Sequence, residues 1–187
     1  MSEIVREGYR RNRFDEWRHG IVDPARAEWL GLLVSKLAPD ARVLELGCGT
    51  GDSGLERFDW TGVDLVARAP GVIEADFLEV DLPASSFDAC ASFYVFNHVP
   101  RGQLAPLLAR IHRWLVPGGL FMHAFGTSDT EAWTGEWLGG PAFFSSFLPE
   151  TNTRLVQEAG FSIERDETIT MQEPEGPATF QWILARA

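Results

Sequence analysis

The segment ValLeuGluLeuGlyCysGlyThrGly at 43–51 constrains this chain more than any other. Its apolar run, Val43, Leu44 and Leu46, is short and stops abruptly at glycine, as a strand covered on both faces does. Gly47, Gly49 and Gly51 then stand two residues apart. Without Cβ atoms they accept positive φ values and let backbone amides approach a bound molecule at the carboxyl edge of a parallel sheet. Glycines so spaced also serve ordinary turns, so a ligand site needs support from the neighbouring strands.

Two following strands supply it. The run 60–65 ends ThrGlyValAspLeu, which sets Asp64 at a strand tip where a carboxylate can hold two ribose hydroxyls. The run 72–75 leads into Asp76, positioned for an exocyclic amine, with Phe77 able to cover a base. Together these groups outline an adenosine. A nicotinamide dehydrogenase fits less well, because Asp52 stands where the dinucleotide fingerprint has its final glycine and would face a pyrophosphate.

The remaining pattern alternates. Asp23 and Pro24 read as N-cap and first turn of a helix carrying Trp29, Leu30, Leu33, Val34 and Leu37 on one face, ended by Pro39. Strands are predicted at 87–93, 120–125, 161–171 and 178–185, with helices at 104–115 and 149–159 and turns at Pro117–Gly119 and Gly160. Such alternation specifies an α/β sandwich with a mainly parallel sheet. Two connections, from Gly51 to Asp64 and from Asp64 to Ile73, are short for parallel crossovers, which take a dozen or more residues. The second is expected to hold a single turn or an open loop.

With 187 residues the chain is expected to be one domain, with a helical cap over 1–38 and an irregular aromatic lid over 127–148. A net charge of −11 opposes a phosphate backbone and excludes nucleic acid as the expected substrate. The basic group Arg6, Arg10, Arg11 and Arg13 reads as the solvated end of a first helix. No apolar run reaches the roughly 20 residues of a membrane span, and the first residues are too polar for a signal peptide, so a cytoplasmic location without a membrane partner is expected. Cys48 and Cys90 are expected to be unpaired packing residues, and no metal site is expected.

With GluLeuGlyCysGlyThrGly at 45–51, Asp64, Asp76, PheAspAlaCysAlaSerPheTyrValPheAsnHisVal at 87–99, LeuValProGlyGlyLeuPhe at 115–121 and GluAlaGlyPhe at 158–161, the chain resembles the class I S-adenosylmethionine-dependent methyltransferases. Within them it is similar to the small-molecule, type 11/12-like branch. The likeness runs from about Val43 to the carboxyl terminus. It implies a Rossmann-like three-layer sandwich on a seven-stranded, mostly parallel sheet with an antiparallel last strand and two shortened crossover helices. S-adenosylmethionine is the implied cofactor, S-adenosylhomocysteine the product and a small molecule the acceptor. Glu45 and the loop of Gly47, Cys48, Gly49 and Gly51 would hold the methionine end, Asp64 and Leu65 the ribose, and Asp76 and Phe77 the adenine. Phe93 would line the methionine site.

His98 follows the fourth strand, close to where the methyl should emerge, and is the candidate base or substrate contact. His123, inside a strand, reads as a satisfied buried histidine, and His19 and His112 as surface residues. Trp133, Trp137 and Phe144, with Phe143 and Phe147 beside them, suggest an apolar or planar acceptor. A protein of the same fold that binds the cofactor without transferring its methyl, or that carries out other chemistry on it, is the alternative. Monomer and homodimer are both open.

Overall fold

The computed structural model describes residues 2–11, 14–19 and 21–187, apart from the side chains of Asp15, Glu16 and His19. Arg13 and the His19 side chain therefore lie outside the described residues. Three helices, α1 (Ser2–Arg11), α2 (Phe14–His19) and α3 (Pro24–Ser35), precede β1 (Arg42–Leu46). Then come β2 (Asp59–Asp64), β3 (Ile73–Glu74), β4 (Phe87–Phe93), α4 (Arg101–Trp114), β5 (Leu115–Gly126), β6 (Trp133–Trp137), β7 (Gly140–Phe144), α5 (Pro149–Glu158), β8 (Ser162–Glu173) and β9 (Gly176–Arg186).

Seven strands form one sheet in the order β3-β2-β1-β4-β5-β9-β8. Strands β1 to β5 pair in parallel, and β9 is antiparallel to both β5 and β8. The chain leaves β1 toward β2 and β3 and then returns to β4 on the other side of β1. That reversal opens a crevice beyond the carboxyl ends of β1 and β4, where open α/β sheets bind ligands.

Alternate residues of each central strand feed two cores. Leu44, Leu46, Cys90, Phe121 and Ile183 meet α4 through Leu104, Leu107, Leu108 and Ile111, and Val156 of α5 joins them. Val43, Ala89, Ala91, Met122 and Leu184 meet Trp29 and Leu33 of α3 on the opposite face. The expected cap of α3 is present: Pro24 opens the helix and the Arg26 amide donates to Asp23 Oδ1 at 2.9 Å.

The short connections carry turns and no helix, and the segment between β3 and β4 is likewise helix-free. On the β1–β2 side, the Trp60 indole stands in for the absent crossover helix. A Cβ added to Gly62 would lie 2.3 Å from that ring, so glycine is required there by close approach and not by φ. Trp60 Nε1 also donates to Glu45 Oε2 at 3.0 Å.

The region 127–148 is more regular than its sequence suggests. It holds an antiparallel hairpin, β6–β7, turning through Leu138 and Gly139 at φ 52° and 86°. The cross-strand pair Trp133 and Phe144, with ring centroids 5.6 Å apart, fixes its register. β5 also begins earlier than expected, because α4 stops at Trp114 and ProGlyGly is taken up as an irregularity opposite Phe87 and Ala89.

His123 is fully buried, and apart from the Ser92 backbone beside it no group among the described residues is placed to partner its ring nitrogens, which corrects the expectation of a satisfied histidine. It is held by rings: Phe96 stacks at 3.8 Å and Phe125 meets it edge-on at 4.3 Å. His112 is half-buried against Phe161 at 5.0 Å, and not a plain surface residue.

Burial drives the His123 pKa well below its ordinary value, so the native imidazole stays neutral where the unfolded one takes a proton. Stability is therefore retained above pH ~6.5 and falls as pH drops below it, by up to about 2 kcal/mol at pH 5 for one such group. Denaturant unfolding of His123→Phe at pH 5 and 7.5 should show a smaller loss than the wild type; equal losses would contradict this origin of acid sensitivity. Gly62→Ala should destabilise by about 1–3 kcal/mol at both pH values, since the indole must move.

Candidate active site

The crevice at the strand ends is a cavity of about 540 Å³, within the range that holds small ligands. The glycine loop forms its floor, α1 and α2 close it from above, and the tips of β6–β7 and β8–β9 supply a side wall.

The loop is held open by its glycines. Gly47, Gly49 and Gly51 have φ of 69°, 57° and 64°. A Cβ on Gly47 would lie 2.6 Å from the Val95 side chain, whereas one on Gly49 would meet nothing within 4 Å. The missing side chain at Gly49 thus leaves ligand room on the cavity side. Behind the loop, Glu45 is buried away from the cavity and accepts from Ser53 Oγ at 2.8 Å as well as from Trp60. Burial raises its pKa, while these donors and the charge of Arg26 lower it in part. Cys48 lines the cavity as a neutral thiol, its pKa pushed up to about 12 by burial and by Asp64 and Glu45. Gly51 lies under the Trp60 ring, outside the cavity wall.

Asp64 stands at the tip of β2 and lines the cavity beside Leu65. Its Oδ2 accepts the Gly49 amide at 2.8 Å and its Oδ1 the Val66 amide at 3.0 Å, so the carboxylate ties two loops together and keeps lone pairs for a ligand. Burial raises its pKa against the pull of those amides. Asp76 lines the cavity while capping its own turn through the Leu78 amide at 2.9 Å. Phe77 and Phe93 also face the cavity.

At the end of β4, Tyr94 adopts the left-handed region, φ 64°, and turns the chain into the 3-10 segment Val95–His98. That non-glycine strain presents His98 to the cavity. His98 Nδ1 lies 2.8 Å from the Phe143 carbonyl oxygen. A carbonyl only accepts, so Nδ1 carries the proton and Nε2 is a lone pair, which the Tyr9 hydroxyl meets at 2.9 Å. Burial lowers the imidazole pKa to about 4. Trp137 and Phe144 line the same region. Trp133 is 42% exposed and lies outside the wall, supporting Phe144 from behind.

Several wall residues were not readable as site residues. Arg26 lies over the Phe93 ring at 4.9 Å from its centroid, and burial lowers its pKa. Its neighbour Arg18 pairs with Asp52 at 3.3 Å. Tyr94 donates to Asp23 Oδ2 at 2.6 Å, and Phe14, Trp17 and Phe180 add aromatic wall. Helical spacing marked α3 only as a packing helix; nothing local in it announces that Arg26 reaches the cavity wall. No group of His, Cys, Asp and Glu that could hold a metal occurs among the described residues.

Residues 9–165 match the methyltransferase domain family, and the chain belongs to it. A sterol 24-C-methyltransferase of Yarrowia lipolytica is 24% identical over 75% of this chain and 44% of its own. The chain spans less than half the length of the curated relatives it matches. Among solved structures, 1,6-didemethyltoxoflavin-N1-methyltransferase of Burkholderia thailandensis, with its acceptor and S-adenosylhomocysteine bound, is 20% identical with a TM-score of 0.72, covering 99% of this chain and 88% of that one. A SAM-dependent methyltransferase of Methanosarcina mazei is 17% identical with a TM-score of 0.71 over 83% and 96%.

With a pKa near 4, His98 should stay neutral through the working range. Its ring resonances should therefore show no titration between pH 8 and 5 by NMR; a midpoint near 6.5 would mean that the ring is solvated.

Proposed function

We propose that the cavity holds S-adenosylmethionine and a small-molecule acceptor side by side, and that the chain transfers the methyl group between them. The observation that carries this is the convergence of the glycine loop, Asp64 and Asp76 on one cavity at the reversal of the sheet order. Asp64 would take the ribose hydroxyls, Asp76 the adenine amine, and Phe77 and Leu65 the faces of the base and sugar. The Gly47 and Gly49 backbone would cradle the methionine end with Cys48, and Phe93 would line it. Glu45 and Gly51 act from behind the loop, holding its shape. Arg26, placed on the loop side over Phe93, would pair with the cofactor's carboxylate.

When bound, the sulfonium supplies a carbon already activated for in-line displacement, so the protein's task is to orient and desolvate. His98, whose Nε2 lone pair is held by the Tyr9 hydroxyl, would take a hydrogen bond or the proton of the acceptor only in exchange for that contact. The wall of Trp137 and Phe144, supported by Trp133, would hold an apolar or planar acceptor. In this reading 1–38 is a cap and 127–148 a lid on a single domain. The unpaired, buried Cys48 and Cys90 suit a reducing, cytoplasmic setting, with the chain monomeric or homodimeric. The net charge of −11 keeps nucleic acid from the list of partners, and no described helix is long and apolar enough to cross a membrane.

Calorimetry with S-adenosylhomocysteine tests the cofactor side, with NADH as control. Asp64→Ala should weaken binding about 100-fold, corresponding to ~3 kcal/mol for hydrogen bonds to a charged group; unchanged affinity in the folded variant would remove the ribose assignment. Arg26→Met should weaken S-adenosylhomocysteine about tenfold or more while leaving methylthioadenosine, which lacks the carboxylate, unaffected. Equal losses for both ligands would take Arg26 away from the carboxylate.

A further inference from the structure

Helix α1 contributes no residue to either core cluster, yet it roofs the cavity through Ser2, Val5 and Tyr9. It is docked on two sides. Against the hairpin, Gly8 approaches Pro141 so closely that a Cβ would fall 2.0 Å from the Pro141 carbonyl oxygen. Gly8 is helical, so the approach alone demands glycine. Against the open 65–74 segment, Arg6 Nε donates to the Leu65 carbonyl at 3.3 Å, Arg10 pairs with Glu74 at 3.4 Å, and Arg68 donates to the Tyr9 carbonyl. Of these, only Arg10–Glu74 is an exposed ion pair; the other two are part-buried hydrogen bonds to backbone carbonyls. The helix is thus seated on the rim by polar and backbone contacts and by the buried Val5, outside both core clusters.

The two anchors of the His98 ring come from different bodies. Phe143, in the hairpin, holds Nδ1; Tyr9, on α1, holds Nε2. The ring is further boxed by Tyr9 at 5.4 Å and Phe144 at 5.0 Å. We propose that Tyr9 is a positioning residue for His98 and the latch that keeps α1 closed over the cofactor, so that the acceptor site is complete only in the closed state. The proposal rests on the methyl-transfer reading of the same cavity. Closed, the Tyr9 O–H occupies the Nε2 lone pair; lifted, His98 loses one anchor and the cofactor gains an exit. Cofactor exchange and acceptor positioning are thereby alternatives of one helix position.

The test uses the full chain and S-adenosylhomocysteine as the probe. Its dissociation is followed by stopped-flow tryptophan fluorescence, for which Trp17 and Trp137, 5.5 Å apart beside α1, are the reporters. The His98 ring nitrogens are followed by ¹⁵N NMR. Tyr9→Phe should speed dissociation about fivefold, the value of one ordinary hydrogen bond, and shift the Nε2 resonance toward that of an unbonded nitrogen while leaving Nδ1 in place. Gly8→Ala, which keeps both side chains and suits a helix, should produce the same two changes by wedging α1 from Pro141. Unchanged dissociation and an unchanged Nε2 resonance in both variants would overturn the latch. A folded wild type that binds no S-adenosylhomocysteine would instead overturn the cofactor reading, and the latch with it, while the Nε2 shift in Tyr9→Phe would still report whether the Tyr9–His98 contact exists.

Discussion

A carboxylate with almost no access to water sits directly behind the glycine loop. Glu45 is on β1, the strand from which the sheet reverses, and burying its charge would be prohibitive without donors. Ser53, from the far side of the loop, and Trp60, from β2, supply them. One side chain therefore joins the strand, the loop and the indole that covers the face a crossover helix would occupy. The positive φ values of the three glycines, and the orientation of the Gly49 amide toward Asp64, are set on that foundation.

The absence of helices after β1, β2 and β3 leaves one end of the sheet thinly covered, and the chain answers with side chains and with its first helix. Trp60, Leu55 and Phe58 close the face near β2. The open 65–74 segment, which carries Leu65 into the cavity wall, is met by the arginines of α1. The same economy gives the cavity its mixed character. Its floor is backbone and carboxylate, while its roof and side wall are aromatic, running from Tyr9 through Phe14 and Trp17 to Trp137.

The floor was legible because local sequence and local geometry coincide there. A strand that ends in Gly47, Asp64 or Asp76 must put that residue at the strand tip, and a parallel sheet aligns all such tips on one edge. The wall was only half legible. The alternation in TrpThrGlyGluTrp is masked by the surrounding aromatics, so the hairpin β6–β7 read as irregular; Trp133 and Trp137 share one face of β6 against Phe144, and only Trp137, at the other end of the strand, reaches the cavity. His123 read as satisfied because polar groups in strands usually are; a surround of phenylalanine rings is visible only when Phe96 and Phe125 are brought against it.

By itself, then, the sequence determined the α/β class, the placing of Gly47 and Asp64 at strand ends and the shortness of the crossovers, all properties of runs of fewer than about twenty residues. Tertiary structure decided what the ends of the chain do. Tyr9 meets His98 across 89 positions, and Arg26 reaches the cavity wall over Phe93 from a helix whose spacing speaks only of packing. Such contacts join residues on separate elements, and their positions follow from how α1 and α3 dock, which depends on the whole surface beneath them and on no local pattern.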